Sequence, residues 1–195
     1  MEFKCFVVPL LTVFIAQSAC AEGFRLGAEY DSTLDHKTNK ASQAFTLLPG
    51  WDFPHGHAID RMELLLEESR DSPDKHGLIP KGHKVFVRLR HDGEFSERLH
   101  YYLRGGMGRS TSRSSAFNYA YVEPGLSYKA GNDWGVSLGY RDSIAIDGTR
   151  GQHVRDVLAG LNFALDRNDH LELIYIRGRR DKDLTTWAIQ YVHSF

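Results

Sequence analysis

The sequence predicts an all-β protein: a transmembrane, antiparallel, up-and-down β-barrel of about ten strands, with twelve and eight as the neighbouring counts. Three observations predict it. The chain opens on an export signal, and the remainder alternates apolar and polar residues in ten segments. The last nine residues, WAIQYVHSF, keep alternating up to a terminal Phe, where soluble domains usually end in a few loosely held polar residues.

Residues 1–21 read as a secretory signal peptide. Lys4 is a short charged start, Cys5–Ala16 is an apolar run, and Ala19-Cys20-Ala21 fits small-x-small cleavage. The run is too short to be a spanning helix. A lipoprotein reading through Cys20 is the weaker one, because Gln17 rather than Leu stands three residues before it. Cleavage after Ala21 removes both cysteines and leaves residues 22–195 as one barrel domain with no disulfide. Net charge is −1 and the charged fraction 25%, so no bulk field points to nucleic acid.

The segments run in order, each with a period of two. Phe24, Leu26, Ala28 and Tyr30 alternate with Arg25, Gly27 and Glu29. Ala41, Phe45 and Leu47 form the second segment, with Gln43 the exception on its apolar face. Met62, Leu64 and Leu66 alternate with Arg61, Glu63, Leu65 and Glu67. Val85, Val87 and Leu89 alternate with Lys84, Phe86, Arg88 and Arg90. Leu99, Tyr101, Leu103, Gly105 and Met107 alternate with His100, Tyr102 and Arg104. Ala120, Val122, Pro124, Leu126 and Tyr128 alternate with Tyr119, Tyr121, Glu123 and Ser127 in the sixth segment; Trp134 to Tyr140 carry the seventh and Val157 to Phe163 the eighth. Leu171, Leu173 and Tyr175 mark the ninth, blurred by Ile174 and Ile176. The tail is the tenth. Segments of about 9–11 residues suit a membrane barrel.

The links alternate as well. HDGEFSE, AGND and DRND are tight-turn sequences. DSTLDHKTNK, SRDSPDKHGLIPKG, GRSTSRSSAFN, RDSIAIDGTRGQ and GRRDKD are more polar and mostly longer. Short turns toward the periplasm and long loops outside are the outer-membrane pattern; PGWDFPHGH departs from it. Tyr128, Trp134 and Phe195 fall at one rim, and Tyr30, Tyr140 and Trp187 at the other, as interfacial aromatics should.

With one face toward lipid, the other lines a lumen. The lumen set contains Arg25, Arg61, Lys84, Arg88, Arg90, Arg98, Arg104 and Arg141, with Glu29, Glu63, Glu67, Glu123, Asp156 and Glu172 as its acids. A basic stripe in a narrow channel concentrates anions, and Arg forks suit carboxylates and phosphates. The competing reading is a closed barrel whose lumen charges pair off. Trp187, Ile189, Tyr191 and Phe195 form the bulky face of the last segment, a signature for membrane insertion by the barrel-assembly machinery. His55-Gly56-His57 is read as a solvated turn rather than a metal site, and no cofactor is expected. Arg177, Arg179, Arg180 and Lys182 form a loop cluster suited to lipopolysaccharide phosphates. No nucleophile elbow or other catalytic signature occurs; a rim hydrolase would need His36, His76 or His153 beside a Ser or Asp.

The stretch YYLRGGMGRS…YAYVEPGLSYKAGNDWGVSLGYR, together with YVHSF, resembles the oligogalacturonate-specific porin family, KdgM-like small monomeric channels of the outer membrane. The resemblance implies a barrel with basic residues along the pore that guide acidic oligosaccharides; Arg88, Arg90, Arg104 and Arg141 are similar in kind. It implies a twelve-stranded pore, two strands more than the segments found here. The expectation is thus a monomeric outer-membrane channel of a Gram-negative bacterium for small anionic solutes, including acidic oligosaccharides. Its partners would be outer-membrane lipid and lipopolysaccharide. The other readings are a non-conducting structural or adhesion barrel and a rim-located hydrolase.

Overall fold

A computed structural model describes residues 23–54, 58–73, 81–112, 116–147, 153–179 and 183–195. Ten strands succeed one another: β1 (Phe24–Asp35), β2 (Lys40–Asp52), β3 (Arg61–Asp71), β4 (Lys81–Glu94), β5 (Leu99–Ser112), β6 (Ala116–Lys129), β7 (Trp134–Ala145), β8 (His153–Ala164), β9 (Asp169–Arg179) and β10 (Asp183–Ser194). Each is antiparallel to the next, and β10 returns to β1 to close the barrel. The closing ladder runs from Arg25 opposite Ser194 to Asp35 opposite Leu184. Closure leaves no sheet edge, and every strand group inside hydrocarbon needs such a partner. Among the described residues there is no helix.

The alternation in the sequence becomes an outside and an inside. Val85, Val87, Leu103, Met107, Leu126, Leu138 and Leu161 are all exposed on the outer surface. The rim aromatics Tyr30, Tyr140, Trp187, Tyr128, Trp134 and Phe195 are exposed as well. Opposite faces of the same strands bury Arg25, Thr46, Glu63, Phe86, Arg88, Tyr102, Glu123 and Gln190. A greasy exterior around a polar interior is the inverse of a soluble domain and matches a membrane barrel.

The near end of the barrel carries both Phe24 and Phe195. There the Phe24 ring packs against Trp51 at 5.6 Å and Phe195 at 5.5 Å, and Phe195 N donates to Phe24 O. At the far end several links expected to be long are short, because the strands run on past the apolar band. DSTLDHKTNK shrinks to a turn between Asp35 and Lys40. Asp35 Oδ1 accepts from the N–H groups of Lys37 and Thr38, and Asn39 takes the left-handed region (φ 51°) that an Asn tolerates. Prolines interrupt the ladders locally. Pro49 has no N–H for β3, and pairing skips from Leu47–Leu66 to Gly50–Glu63. Pro124 does the same between β6 and β7.

Candidate functional site

The bore is the candidate site, and ladder register builds its charge array. Glu63 on β3 lies opposite Arg88 on β4, and Arg88 Nε donates to Glu63 Oε2 at 2.6 Å. Arg25 reaches the same carboxylate from β1, its Nε 3.7 Å from Glu63 Oε1. To do so it crosses β2 at Gly50, where a Cβ would stand 2.8 Å from Glu63 Cγ and 3.3 Å from Arg25 Cγ. Further round the same wall, Glu123 on β6 lies opposite Arg104 on β5. It accepts from Arg104 Nη1 at 3.2 Å and from Arg141 Nε at 2.8 Å. Glu63 is 2% exposed and Glu123 0%. A carboxylate this buried is tolerable only because it is held by more than one guanidinium. Together the two clusters form an ion-pair belt around the waist of the bore.

On the near side of the belt is a cavity of about 350 Å³, walled by Arg25, Arg61, Arg88, Arg90 and Arg104. Arg61 and Arg90 are directly opposite in the ladder, a repulsive pairing on its own. Each is relieved by a carboxylate nearer the rim: Arg61 Nε lies 2.5 Å from Asp52 Oδ1, and Arg90 Nη2 2.7 Å from Asp92 Oδ1. Arg25 Nε is buried and has no hydrogen-bond partner. The Tyr102 ring lies flat on the wall over Gly125 and Gly139, where a Cβ would stand 2.1 Å from its Cζ and 2.5 Å from its hydroxyl oxygen. Arg90 and Arg104 stack above it at 5.0 and 4.8 Å, cation–π contacts that hold both guanidinium planes in place.

On the far side is a second cavity, of about 490 Å³, which shares only Arg88 and Arg104 with the first. Lys84 is held by Glu67 at 2.8 Å. Glu29, Asp31, Asp71 and Asp156 also line this cavity, and none of them forms an ion pair with a described residue. One wall is aromatic: Phe86 stacks on Tyr119 at 5.4 Å and on Tyr121 at 5.0 Å. Phe86 lies over Gly106 and Gly108 as Tyr102 lies over its glycines, so large rings coat the wall without crossing the bore. Facing them are Leu158, Ile174 and Ile176.

Seven of the eight basic residues expected in the lumen are therefore inside it, and all seven have carboxylate partners. Arg98 is the correction. It has the right phase, but it lies in the turn where Phe95 N and Ser96 N both bond Leu99 O; its own carbonyl accepts from Lys129 N, and its side chain is left exposed. The alternation misses Asp31, Asp52, Asp71 and Asp92 because it stops short of the true strand ends. It also gives Tyr102, Phe86, Tyr119 and Tyr121 only as the polar phase, not as wall-coating rings.

Trp187, Ile189, Tyr191 and Phe195 all face outward on or beside β10. Asp169 accepts from the Tyr191 hydroxyl and lies 2.8 Å from His193 Nδ1, which accommodates the one polar member of that face. At the far rim His36 bonds Thr185 Oγ1 at 2.9 Å, His153 contacts Asp142, and Arg177 donates to Thr185. His55, His57, His76, Arg180, Lys182 and the export signal lie outside the described residues. Among the described residues no three His, Cys, Asp or Glu side chains gather as a metal site.

No protein-family model and no curated protein sequence matches the chain. Solved structures do. The COG4313 outer membrane channel from Pseudomonas putida F1 is similar over 89% of this chain and 96% of its own, at 10% identity and TM-score 0.55. The translocator domain of the autotransporter NalP from Neisseria meningitidis is similar over 96% and 94%, at 9% identity and TM-score 0.50. A KdgM porin in complex with disordered oligogalacturonate is similar over 87% and 99%, at 9% identity and TM-score 0.46. The fold is that of outer-membrane β-barrels.

Proposed function

We propose that this chain is a monomeric outer-membrane channel of a Gram-negative bacterium, exported by a cleaved signal peptide, whose arginine-walled cavity engages the acidic groups of small solutes. The observation that carries this reading is the convergence of five arginines on one cavity beside the waist of the bore. Tyr102 keeps two of them spread, and Arg25 has a donor to spare. Rings laid flat over glycine favour an open bore. In this reading the near end faces the periplasm, and the outward face of β10 serves the assembly machinery. The far-rim cations contact lipopolysaccharide.

A second reading is favoured by one specific observation: each of the seven expected lumen bases found inside already has a carboxylate. A barrel whose charges merely close on one another would be a structural protein working through its loops.

Single-channel conductance of the refolded mature chain separates them. Under a salt gradient the channel reading expects steps that acidic oligosaccharides block, with block weakened at least about tenfold by Arg88→Ala plus Arg104→Ala, which removes two charge-assisted contacts. No conductance from a demonstrably folded barrel favours the structural reading. Block unaffected by the arginine changes would leave a channel without the proposed solute class.

A further inference from the structure

We infer that the bore is electrically bipolar and passes current unequally in its two directions, an inference that rests on the channel reading above. The belt separates two cavities of opposite character. The near one sets Arg25, Arg61, Arg88, Arg90, Arg104 and Lys129 against Glu63, Asp133 and Glu172, with Asp52 and Asp92 beside Arg61 and Arg90 nearer the rim. The far one is lined beyond the belt by Glu29, Asp31, Glu67, Asp71 and Asp156, against which Lys84 is the one base among the described residues. Within the belt, Glu63 and Glu123 answer four arginines, so the waist keeps a positive excess. The far cavity keeps a negative one.

Distance decides whether the two fields survive side by side. A strand such as β1, of 12 residues, extends about 40 Å. At a tilt of about 40° it spans about 30 Å of bore. The two halves are then centred about 15 Å apart, beyond the screening length of about 10 Å at about 0.1 M salt. Each half therefore holds its own counter-ions: cations in the far cavity, anions in the near one. When the far side is positive, both carriers are driven toward the belt and accumulate there. When it is negative, both are drawn away and the waist is depleted. Conductance is higher with the far side positive.

The test is the current–voltage curve of single channels of the refolded mature chain in symmetrical potassium chloride at mildly alkaline pH. At about 0.1 M the two polarities should differ by about twofold or more. The ratio should fall toward one at about 1 M, where screening shortens to about 3 Å. The triple variant Glu29→Gln, Asp31→Asn, Asp156→Asn should bring the ratio near one while folding normally by heat-modifiable gel migration. Should the triple variant not fold, Asp31→Asn alone should lower the ratio part way. A straight line at low salt, or a ratio untouched by the carboxylate changes, overturns bipolarity and leaves the channel reading standing. A folded barrel with no current overturns both.

Discussion

The bore has two walls, and they are built on different principles. Strands β3 to β7 turn Glu63, Lys84, Arg88, Arg104, Glu123 and Arg141 inward. Strands β8 to β10, with β2, turn in mainly Leu158, Ile174, Ala188, Gln190, Thr46 and Leu48. On the charged wall most bases have their acid on the next strand at the same level, where ladder neighbours come close enough to compensate desolvation. Hence Glu63 faces Arg88, Glu67 faces Lys84 and Arg104 faces Glu123 in register. The other wall needs no such matching. Small and apolar residues there leave room opposite the long arginines. One wall supplies charge; the other supplies width.

The largest expected effect breaks the charged wall at its most enclosed point. Glu123→Ala leaves Arg104 and Arg141 facing one another with no acid between them. Loss of one partner of a buried pair is costly, and water in the bore moderates the cost, so about 2 to 4 kcal/mol of unfolding free energy should be lost. Urea unfolding of the barrel in lipid vesicles measures it. A change below about 0.5 kcal/mol would mean the belt is solvated and its ion pairs structural decoration.

Much of this comparison was legible in the sequence, and the illegible part has identifiable causes. A strand period of two is local, so ten strands, and the inward phase of all but β9, could be read directly. Ile174 and Ile176 blurred β9 because its inward face is apolar where it helps form the width-giving wall, and no local rule distinguishes that from lipid exposure. Pairing partners were out of reach. Arg25 meets Glu63 across an intervening strand, and what permits it is the missing side chain of Gly50, a three-strand coincidence. The flat rings were hidden for the same reason: Tyr102 depends on Gly125 and Gly139 on two other strands.

Those glycines offer a sharper test of whether an arginine wall coexists with an open bore. Gly125→Val places a side chain where the Tyr102 ring now lies. The ring must lift off the wall into the near cavity, taking its cation–π contacts with Arg90 and Arg104 out of alignment. Overpacking of this kind costs about 1 to 3 kcal/mol, and single-channel conductance should fall. Adding Tyr102→Ala to Gly125→Val should restore the conductance, because the ring that obstructs is then gone. If the double variant stays narrow, the ring is not what the glycines accommodate.

The smallest effect belongs on the other wall. Ile174→Ala trims an inward side chain that borders the far cavity and has no charge to match. In a tightly packed core the same change would cost about 2 to 5 kcal/mol. Here the side chain borders open space, so the loss should stay near about 1 kcal/mol, while conductance rises as the cavity widens. The pair Ile174→Ala and Glu123→Ala therefore measures the contrast between the walls directly. Equal losses of stability in the two variants would show that both walls are packed cores of one closed barrel, and that the width assigned to the strands from β8 to β10 is not there.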